Sequence, residues 1–589
     1  MRARTLLVLA LTAAASLGPI LPRPAGPLRG MVRPALAADL PRVSFVAAPG
    51  ASILVHGTYP RVASSCVDPV QAILHARYRG TIEVGRDTDG KLFVVGVLPF
   101  EDYLKGIAEM PRTWPMEALK AQVVAARSYA LAHMRYPDPT GERLGYQLCA
   151  TDACQVYRGM GVSAGPYGDR WDRAVNATVR QVLLFGGRPA DTLYFSTSKG
   201  STVGNEQVFG TAPLPYLRPV IERDDGASPL SHWTSTLAFA DVGRFLRAGG
   251  LWSGGSVTSV TRSGNNVVVR GTGASKTLSV TDFRSSLNYW APCLEPASYP
   301  GYSGGIRLPQ TIPSKWFAMS RRGAAVALTG RGWGHGVGMV QWGAYGKALR
   351  GLRYAEILAA YYGGLRPVEY AEPSEIRIGI ATGLTTVRIA ATGVVSATGT
   401  GVQTGPWLIT GGKALRVRRG AQPPTYIAAG RILKAPSRAR SGRTITATVT
   451  VPVLSVVRLV LEGPGPDVLL AGRTETPGQA TITARVPSIP TGTYGLRAQF
   501  TNGIDIARSA RRTIRVSGTV GSPSPSPSPS ALPTPSPTPT GTAAALPAQS
   551  SSRSVPLVLV AGGAVLLAGV AFLLVLRVRR RPGRPAPPG

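Results

Sequence analysis

Cysteine is scarce in this chain, with four in 589 residues. That is too few for a disulfide-dense scaffold, although an even number suits an exported protein. Charge is also sparse at 16% of residues, and acidic residues are the rarer sign, 30 Asp+Glu against 65 Lys+Arg. So little charge argues against a coiled coil, and the want of repeated long apolar runs argues against a polytopic helical membrane protein. No repeat of solenoid period is present. Glycine (70) and proline (51) are abundant instead, which fits β-rich modules joined by linkers. The length corresponds to roughly four domain-sized units. The formal net charge of +35 favours acidic or polymeric partners without naming one.

The two ends speak to compartment. Arg2 and Arg4 precede an apolar stretch over residues 5–20, and Ala35-Leu36-Ala37 follows. This charged, apolar, small-residue order predicts a secretory signal peptide over residues 1–37. Residues 555–576 form an uncharged apolar run of 22 residues, enough to span a ~30 Å hydrocarbon core. Arg577, Arg579, Arg580, Arg581 and Arg584 follow at once, and arginines so placed are retained on the cytoplasmic side. Residues 519–553 are rich in Ser, Pro and Thr and read as a disordered, semi-rigid stalk able to extend ~3.1 Å per residue. The expected arrangement is an extracytoplasmic body in the cell-wall space, one C-terminal transmembrane helix and a basic cytoplasmic tail at 577–589.

Between the ends, the expected fold class is α+β, mostly β, with a helical insert in the main body. Strand patterns such as Ile53-Leu54-Val55 and Lys91-Leu92-Phe93-Val94-Val95 lie between turn signals. Phe100, Tyr103, Leu104 and Ile107 recur at helical spacing, and Pro111 is the expected stop. A longer helix is predicted to open at Pro115 and run to about Met134, with Leu119, Val123, Ala126, Ala130 and Met134 as its apolar stripe. After it, short strands and loops are expected, with a further short helix at 355–361. Residues 38–370 read as the main domain, 371–440 as a β-rich extension and 441–518 as a small β-sandwich, in which residues 444–451 alternate strictly.

Two islands carry residues that core packing does not demand. The first contains Ala108-Glu109-Met110-Pro111 and continues through Trp114 and Gln122 to Arg127. A carboxyl group in such an apolar niche keeps its proton to higher pH, as a general acid must. From spacing alone, an ordinary surface Glu near a helix end is the favoured reading. The second runs Gly330-Arg331-Gly332-Trp333-Gly334-His335-Gly336-Val337-Gly338-Met339-Val340-Gln341-Trp342. Its alternating glycines permit close backbone approach to a ligand, and Trp, His and Gln suit sugar rings better than phosphates. A structural Gly-rich bulge is the competing reading. No Gly-Lys-Ser/Thr ending is present, which excludes a P-loop.

Together with Cys149-Ala150-Thr151-Asp152-Ala153-Cys154-Gln155-Val156-Tyr157-Arg158-Gly159 and Tyr194-Phe195-Ser196-Thr197-Ser198, these islands closely resemble the signature regions of the SpoIID/LytB family of bacterial cell-wall proteins. The likeness spans about residues 90–365. It implies a SpoIID-like body and peptidoglycan as partner. It implies a lytic transglycosylase that cuts the MurNAc–GlcNAc bond and leaves an anhydro end, with the family's catalytic Glu falling on Glu109 and its helix arginine on Arg127. Gln122, Tyr157, Ser196, Ser198, Trp333, His335 and Gln341 become candidate substrate-binding residues. Ordinary glycosidases need two carboxyl groups, whereas attack by the sugar's own 6-hydroxyl needs one. The alternative is a noncatalytic, peptidoglycan-binding enhancer of a partner N-acetylmuramoyl-L-alanine amidase.

Some relatives bind zinc through Cys and His near the segment matching Cys149–Cys154. Here the nearest upstream histidine is His133, sixteen residues before Cys149, so four ligands are hard to assemble. No cofactor is expected. In an oxidising exterior a Cys149–Cys154 disulfide is expected, with Cys66 and Cys293 as the second bridge, although four cysteines allow three connectivities. No nucleic-acid partner is expected, because the basic residues are not gathered in one helix or arm. A sporulation role does not follow from a fold resemblance.

Overall fold

The computed structural model describes residues 40–60, 73–463 and 467–518. The expected signal peptide, stalk, transmembrane helix and basic tail lie outside these residues, as does Cys66. Among the described residues no helix is long and apolar enough to cross a membrane. The described part is mostly β with helices interspersed.

Two sheets build the body. One has the order Val395–Thr398, Arg42–Ala47, Thr81–Arg86, Leu92–Pro99, Glu375–Leu384, Leu148–Cys149. Its pairs are antiparallel except the last, where Ile378 and Gly379 face Leu148 and Cys149 in parallel register. The other runs Arg416–Arg419, Trp407–Thr410, Thr386–Thr392, Ser52–Thr58, Ile73–Tyr78. Alternate residues of both sheets point into one core, where Phe45, Val55, Ile82, Val94, Ile378 and Ile389 are fully buried, as the two-residue period of strands requires. Residues 375–419 thus supply strands to the sheets of the N-terminal body and share its core.

The long helix, Met116–His133, lies in that core. Leu119, Val123, Ala126 and Ala130 are fully buried, but so are Val124, Ala125 and Arg127 on other faces. A helix covered all round belongs to the interior rather than to a surface. Pro115 is its N-cap, not its first turn. The preceding helix, Phe100–Lys105, stops at Gly106 and not at Pro111 as the periodicity predicts. The reason is tertiary. The Tyr157 ring packs so tightly on Gly106 that a Cβ there would lie 2.2 Å from its Cε2, and Ile107 pairs with Tyr157 as an antiparallel bridge. Past the helix end Ile107 and Ala108 therefore pair with residues 156–157, and the chain bends at Glu109 and Met110.

A second core occupies residues 230–330. It contains Trp233, Phe245, Phe283 and Leu328 and two helices that the sequence pattern did not predict, Phe239–Ala248 and Val280–Leu294. A third, in the C-terminal module, lies between the sheet Ile432–Lys434, Thr444–Val451, Gly478–Arg485 and the sheet Arg438–Arg440, Arg512–Ser517, Gly492–Thr501, Ser455–Glu462, Val468–Glu475. This module docks on the body. Arg77 Nε donates to the Ile504 carbonyl at 2.8 Å, and His75 Nε2 meets Asp505 Oδ1 at 3.0 Å.

Candidate active site

Glu109 sits at a bend in the segment beyond Gly106, which is held alongside residues 156–158. The Ala108 amide donates to the Val156 carbonyl at 2.8 Å, and the Arg158 amide to the Gly106 carbonyl at 2.8 Å. This places the Val156 N–H 2.7 Å from Glu109 Oε1. The residue keeps part of its surface open to solvent, yet its carboxyl group is closely enclosed. Burial is the main cause that pushes its pKa up to about 7, and the Asp152 carboxylate adds to the rise. Hydrogen bonds from Val156, Tyr194 and Gln341 oppose it. Desolvation of the charged form outweighs three donors to it.

Behind the carboxyl group runs a chain of polar side chains. Tyr103 Oη donates to Gln155 Oε1 at 2.5 Å, Gln155 Nε2 donates to Tyr194 Oη at 2.9 Å, and Tyr194 in turn donates to Glu109. Burial, with the nearby Glu109 charge contributing, holds both tyrosine hydroxyls well above their ordinary pKa, so they stay protonated and serve as donors. On the other side Gln341 Nε2 donates to the Glu109 carbonyl at 3.1 Å and to Gln122 Oε1 at 3.2 Å. Gln122 Nε2 is buried without a protein partner among the described residues. Trp114, Trp342 and Tyr345 form an aromatic cluster with ring centroids 4.7–5.3 Å apart.

The Cys149–Cys154 disulfide, Cα–Cα 5.5 Å, closes the loop that carries Asp152 and leads directly into Gln155 and Val156. That loop also hangs on the central sheet, since the Ala150 amide donates to the Gly379 carbonyl at 3.0 Å. Cys293 is also disulfide-bonded.

These residues can be set beside known proteins. The family model described as Stage II sporulation protein, SpoIID, matches residues 88–185. Stage II sporulation protein D of Bacillus subtilis is 30% identical over 281 residues, which is 45% of this chain and 74% of that protein. The chain belongs to the SpoIID family. An uncharacterized protein of Brachyspira hyodysenteriae is 31% identical over 296 residues, 47% of this chain and 69% of that protein. The amidase enhancer of Bacillus subtilis is 27% identical over 303 residues, 45% of this chain and 40% of that protein.

In this SpoIID-family chain the structure brings Glu109, Gln122 and Gln341 together, whereas other candidates lie elsewhere. Arg127 is fully buried in a different network. Nη2 meets Glu101 Oε1 at 2.8 Å, Nε meets Glu372 Oε1 at 2.5 Å, and Nη1 donates to the Thr178 carbonyl at 2.7 Å. It fastens the long helix to the start of Phe100–Lys105 and to the segment before Glu375. Helical geometry explains the separation: Gln122 faces Gln341, and five residues further on, at ~100° each, a side chain points about 140° away. Arg127 thus ties these three segments together, and no described bond joins it to Glu109. Tyr157 is buried between Tyr78 and Tyr103 over Gly106, and no described hydrogen bond joins its side chain to Glu109.

The second island proves to be a clamp on the segment that carries Tyr194. Met339–Val340 pairs in parallel with Tyr194–Phe195, and Trp333 exchanges backbone hydrogen bonds with Thr197. Gly338, at φ +76°, could not carry a Cβ, which would lie 1.9 Å from the Leu193 carbonyl oxygen. The close approach that the glycines allow is thus to the protein's own strand. His335 Nε2–H donates to the Tyr194 carbonyl at 2.8 Å, while Nδ1 accepts from the Val337 amide at 3.2 Å. Burial lowers its pKa to about 4. Both ring nitrogens are thus engaged, and the imidazole stays neutral while holding Tyr194. The Trp333 ring packs against the second core. Ser198 closes a turn, its amide donating to Asp225 and its hydroxyl accepting from Gly200. Ser196 is partly exposed, bonded through its hydroxyl to Thr197.

Tyr103, Gln155 and Tyr194 were not among the residues singled out from sequence. Gln155 and Tyr194 do stand inside the two shorter segments that carry the family resemblance. That was their one available signal, since a relay between distant segments leaves no periodicity.

Proposed function

We propose that the chain remodels the cell wall as a lytic transglycosylase acting on peptidoglycan glycan strands, with Glu109 as its acid and base. The observation that carries this reading is a single enclosed carboxyl group, on a partly exposed residue, whose pKa is raised to about 7 and which accepts from Val156 and Tyr194. Near neutral pH such a group is divided between protonated and ionised forms, which suits both roles.

In the proposed reaction protonated Glu109 gives its proton to the glycosidic oxygen as the C1–O4 bond between MurNAc and GlcNAc breaks. The 6-hydroxyl of the same MurNAc forms the new bond to C1, and its proton goes to the Glu109 carboxylate. The products are a 1,6-anhydro-MurNAc end and a GlcNAc 4-hydroxyl. No water is consumed and Glu109 ends protonated, ready for another cycle. Trp114 and Trp342 are buried against each other, and the partly exposed Tyr345 that packs on both is the member of the cluster open to a sugar ring. The buried Gln122–Gln341 pair fixes the backbone at the acid, through the bond from Gln341 Nε2 to the Glu109 carbonyl.

The relative named amidase enhancer favours a second reading, in which the chain binds glycan without cutting it and stimulates a partner amidase. One digest separates the two. Purified glycan strands, with and without stem peptides, are incubated with the wild-type chain and with Glu109→Gln, and the products are analysed by mass. Anhydro-ended fragments from wild type alone support the transglycosylase. Glycan retention without cleavage by either protein refutes it and leaves the enhancer.

A further inference from the structure

We propose that a basic groove on the C-terminal β-module binds a linear polyol-phosphate polymer, independently of the Glu109 site. The groove has a volume of about 1280 Å³ and is lined by Lys434, Arg438, Arg440, Arg443 and Arg515, with no acidic and no aromatic residue among its lining. All five cationic residues are exposed. None takes part in an ion pair among the described residues.

The want of counter-ions follows from where the module spends its acidic residues. Residues 432–518 contain four, Glu462, Asp467, Glu475 and Asp505. Glu462 pairs with Arg497 at 2.8 Å, Asp467 with Arg508 at 3.7 Å, Glu475 with Arg473, and Asp505 with His75 at 3.0 Å. Every carboxylate is thus engaged away from the groove, leaving its potential unopposed.

Strand geometry arrays the charges. Arg438 and Arg440 stand on the same side of the strand Arg438–Arg440, about 6.6 Å apart along it, and Arg438 faces Arg515 on the neighbouring strand. Guanidinium forks at such spacing take phosphate oxygens in pairs. Thr444, Thr446 and Thr493 line the same groove and add hydroxyls for a polyol. Without an aromatic platform the groove cannot stack nucleobases, the usual source of affinity for single-stranded nucleic acid. A planar bilayer cannot enter a concave groove as a single chain does.

The test uses the full chain and fluorescently labelled poly(glycerol phosphate), with binding measured across a salt series. Arg438→Gln, Arg440→Gln, Arg443→Gln and Arg515→Gln are combined in one variant. A control of equal charge loss combines Arg270→Gln, Lys276→Gln, Arg321→Gln and Arg322→Gln, all exposed within residues 230–330 around the second core. The groove variant is expected to bind at least tenfold more weakly at 0.1 M salt. The slope of log affinity against log salt should flatten by about 3, at ~0.7 per cation for a single-stranded polyanion. The control should stay within twofold of wild type. Equal weakening in both variants, or unchanged binding by the groove variant, overturns the proposal. So does groove-dependent binding that is tighter to single-stranded DNA or to phosphatidylglycerol vesicles. Unchanged thermal unfolding and glycan digestion in the groove variant would show that the module's charge, not its fold, has been altered.

Discussion

Replacing Glu109 with Gln should make the protein more stable at alkaline pH while disabling its proposed chemistry. In an unfolded chain a glutamate titrates near 4.5, and in the folded protein burial raises Glu109 to about 7. The folded state therefore holds this proton more tightly, so folding stability contributed by Glu109 is complete below about pH 4.5. It falls as pH rises toward 7 and is constant above that. A gap of about 2.5 pKa units at 1.36 kcal/mol each makes the ionised carboxylate cost about 3 kcal/mol. Gln keeps an oxygen for the Val156 N–H and carries no charge, so it escapes that cost. At ~2–4 °C per kcal/mol for a domain of 150–250 residues, and less for a larger one, the expected gain is several degrees. The assay is thermal unfolding of both proteins from pH 4 to 9, read as variant minus wild type. The difference should lie near zero at pH 4, climb between about pH 4.5 and 7, and level off above. A flat difference, or one that falls as pH rises, would refute the claim that Glu109 is held in an environment hostile to its charge.

Other perturbations probe the surrounding parts. Tyr194→Phe removes a donor to the carboxylate worth about 1.5–3 kcal/mol, so the alkaline limb of the pH–rate profile for glycan cleavage, expected near pH 7, should move up by about 1–2 units. Changing both Cys149 and Cys154 to Ser should release about 2 kcal/mol of loop-closure restraint; limited proteolysis should then cut within residues 149–156, and cleavage of glycan should slow. Arg127→Met leaves Glu101 and Glu372 facing each other uncompensated and should cost about 3–5 kcal/mol. Its effect should appear as lost soluble protein and lowered unfolding temperature, with activity per folded molecule largely retained, the opposite pattern to Glu109→Gln.

How much of this was legible in the sequence depends on the range of the interaction responsible. The helix over Met116–His133 and the alternation in Thr444–Val451 arise from neighbours a few residues apart, and both were readable. The stop at Gly106 was not, because it is imposed by Tyr157, some fifty residues away in sequence. The glycine run invited a ligand-binding reading, since its pattern shows only that something comes close. At Gly332 and Gly338 that something is the backbone of residues 193–198, at Gly334 the Phe195 side chain, and at Gly330 and Gly336 the rings of Trp233 and Trp316. Glu109 stood out through its apolar neighbours and family segment. Its partners Gln155 and Tyr194 did not, since their function exists only once three distant segments meet. The partners of Arg127, Glu101 and Glu372, were not readable for a related reason: a charged residue on a buried helix signals a partner but not which one.

The strand Glu375–Leu384 lies inside the six-stranded sheet, between Leu92–Pro99 and Leu148–Cys149, and this dictates a timetable. Residues 109, 156, 194 and 341 all leave the ribosome before it does. Until it arrives, Leu148–Cys149 has no neighbour in the sheet and the loop bearing Gln155 and Val156 lacks its anchor at Gly379. Pairing across so long a stretch of chain is slow because the intervening segment must first be confined. The candidate site is thus expected to be among the last features of the body to assemble, and a chain interrupted before residue 375 would carry residues 109, 156, 194 and 341 without the strand that anchors the loop at Gly379.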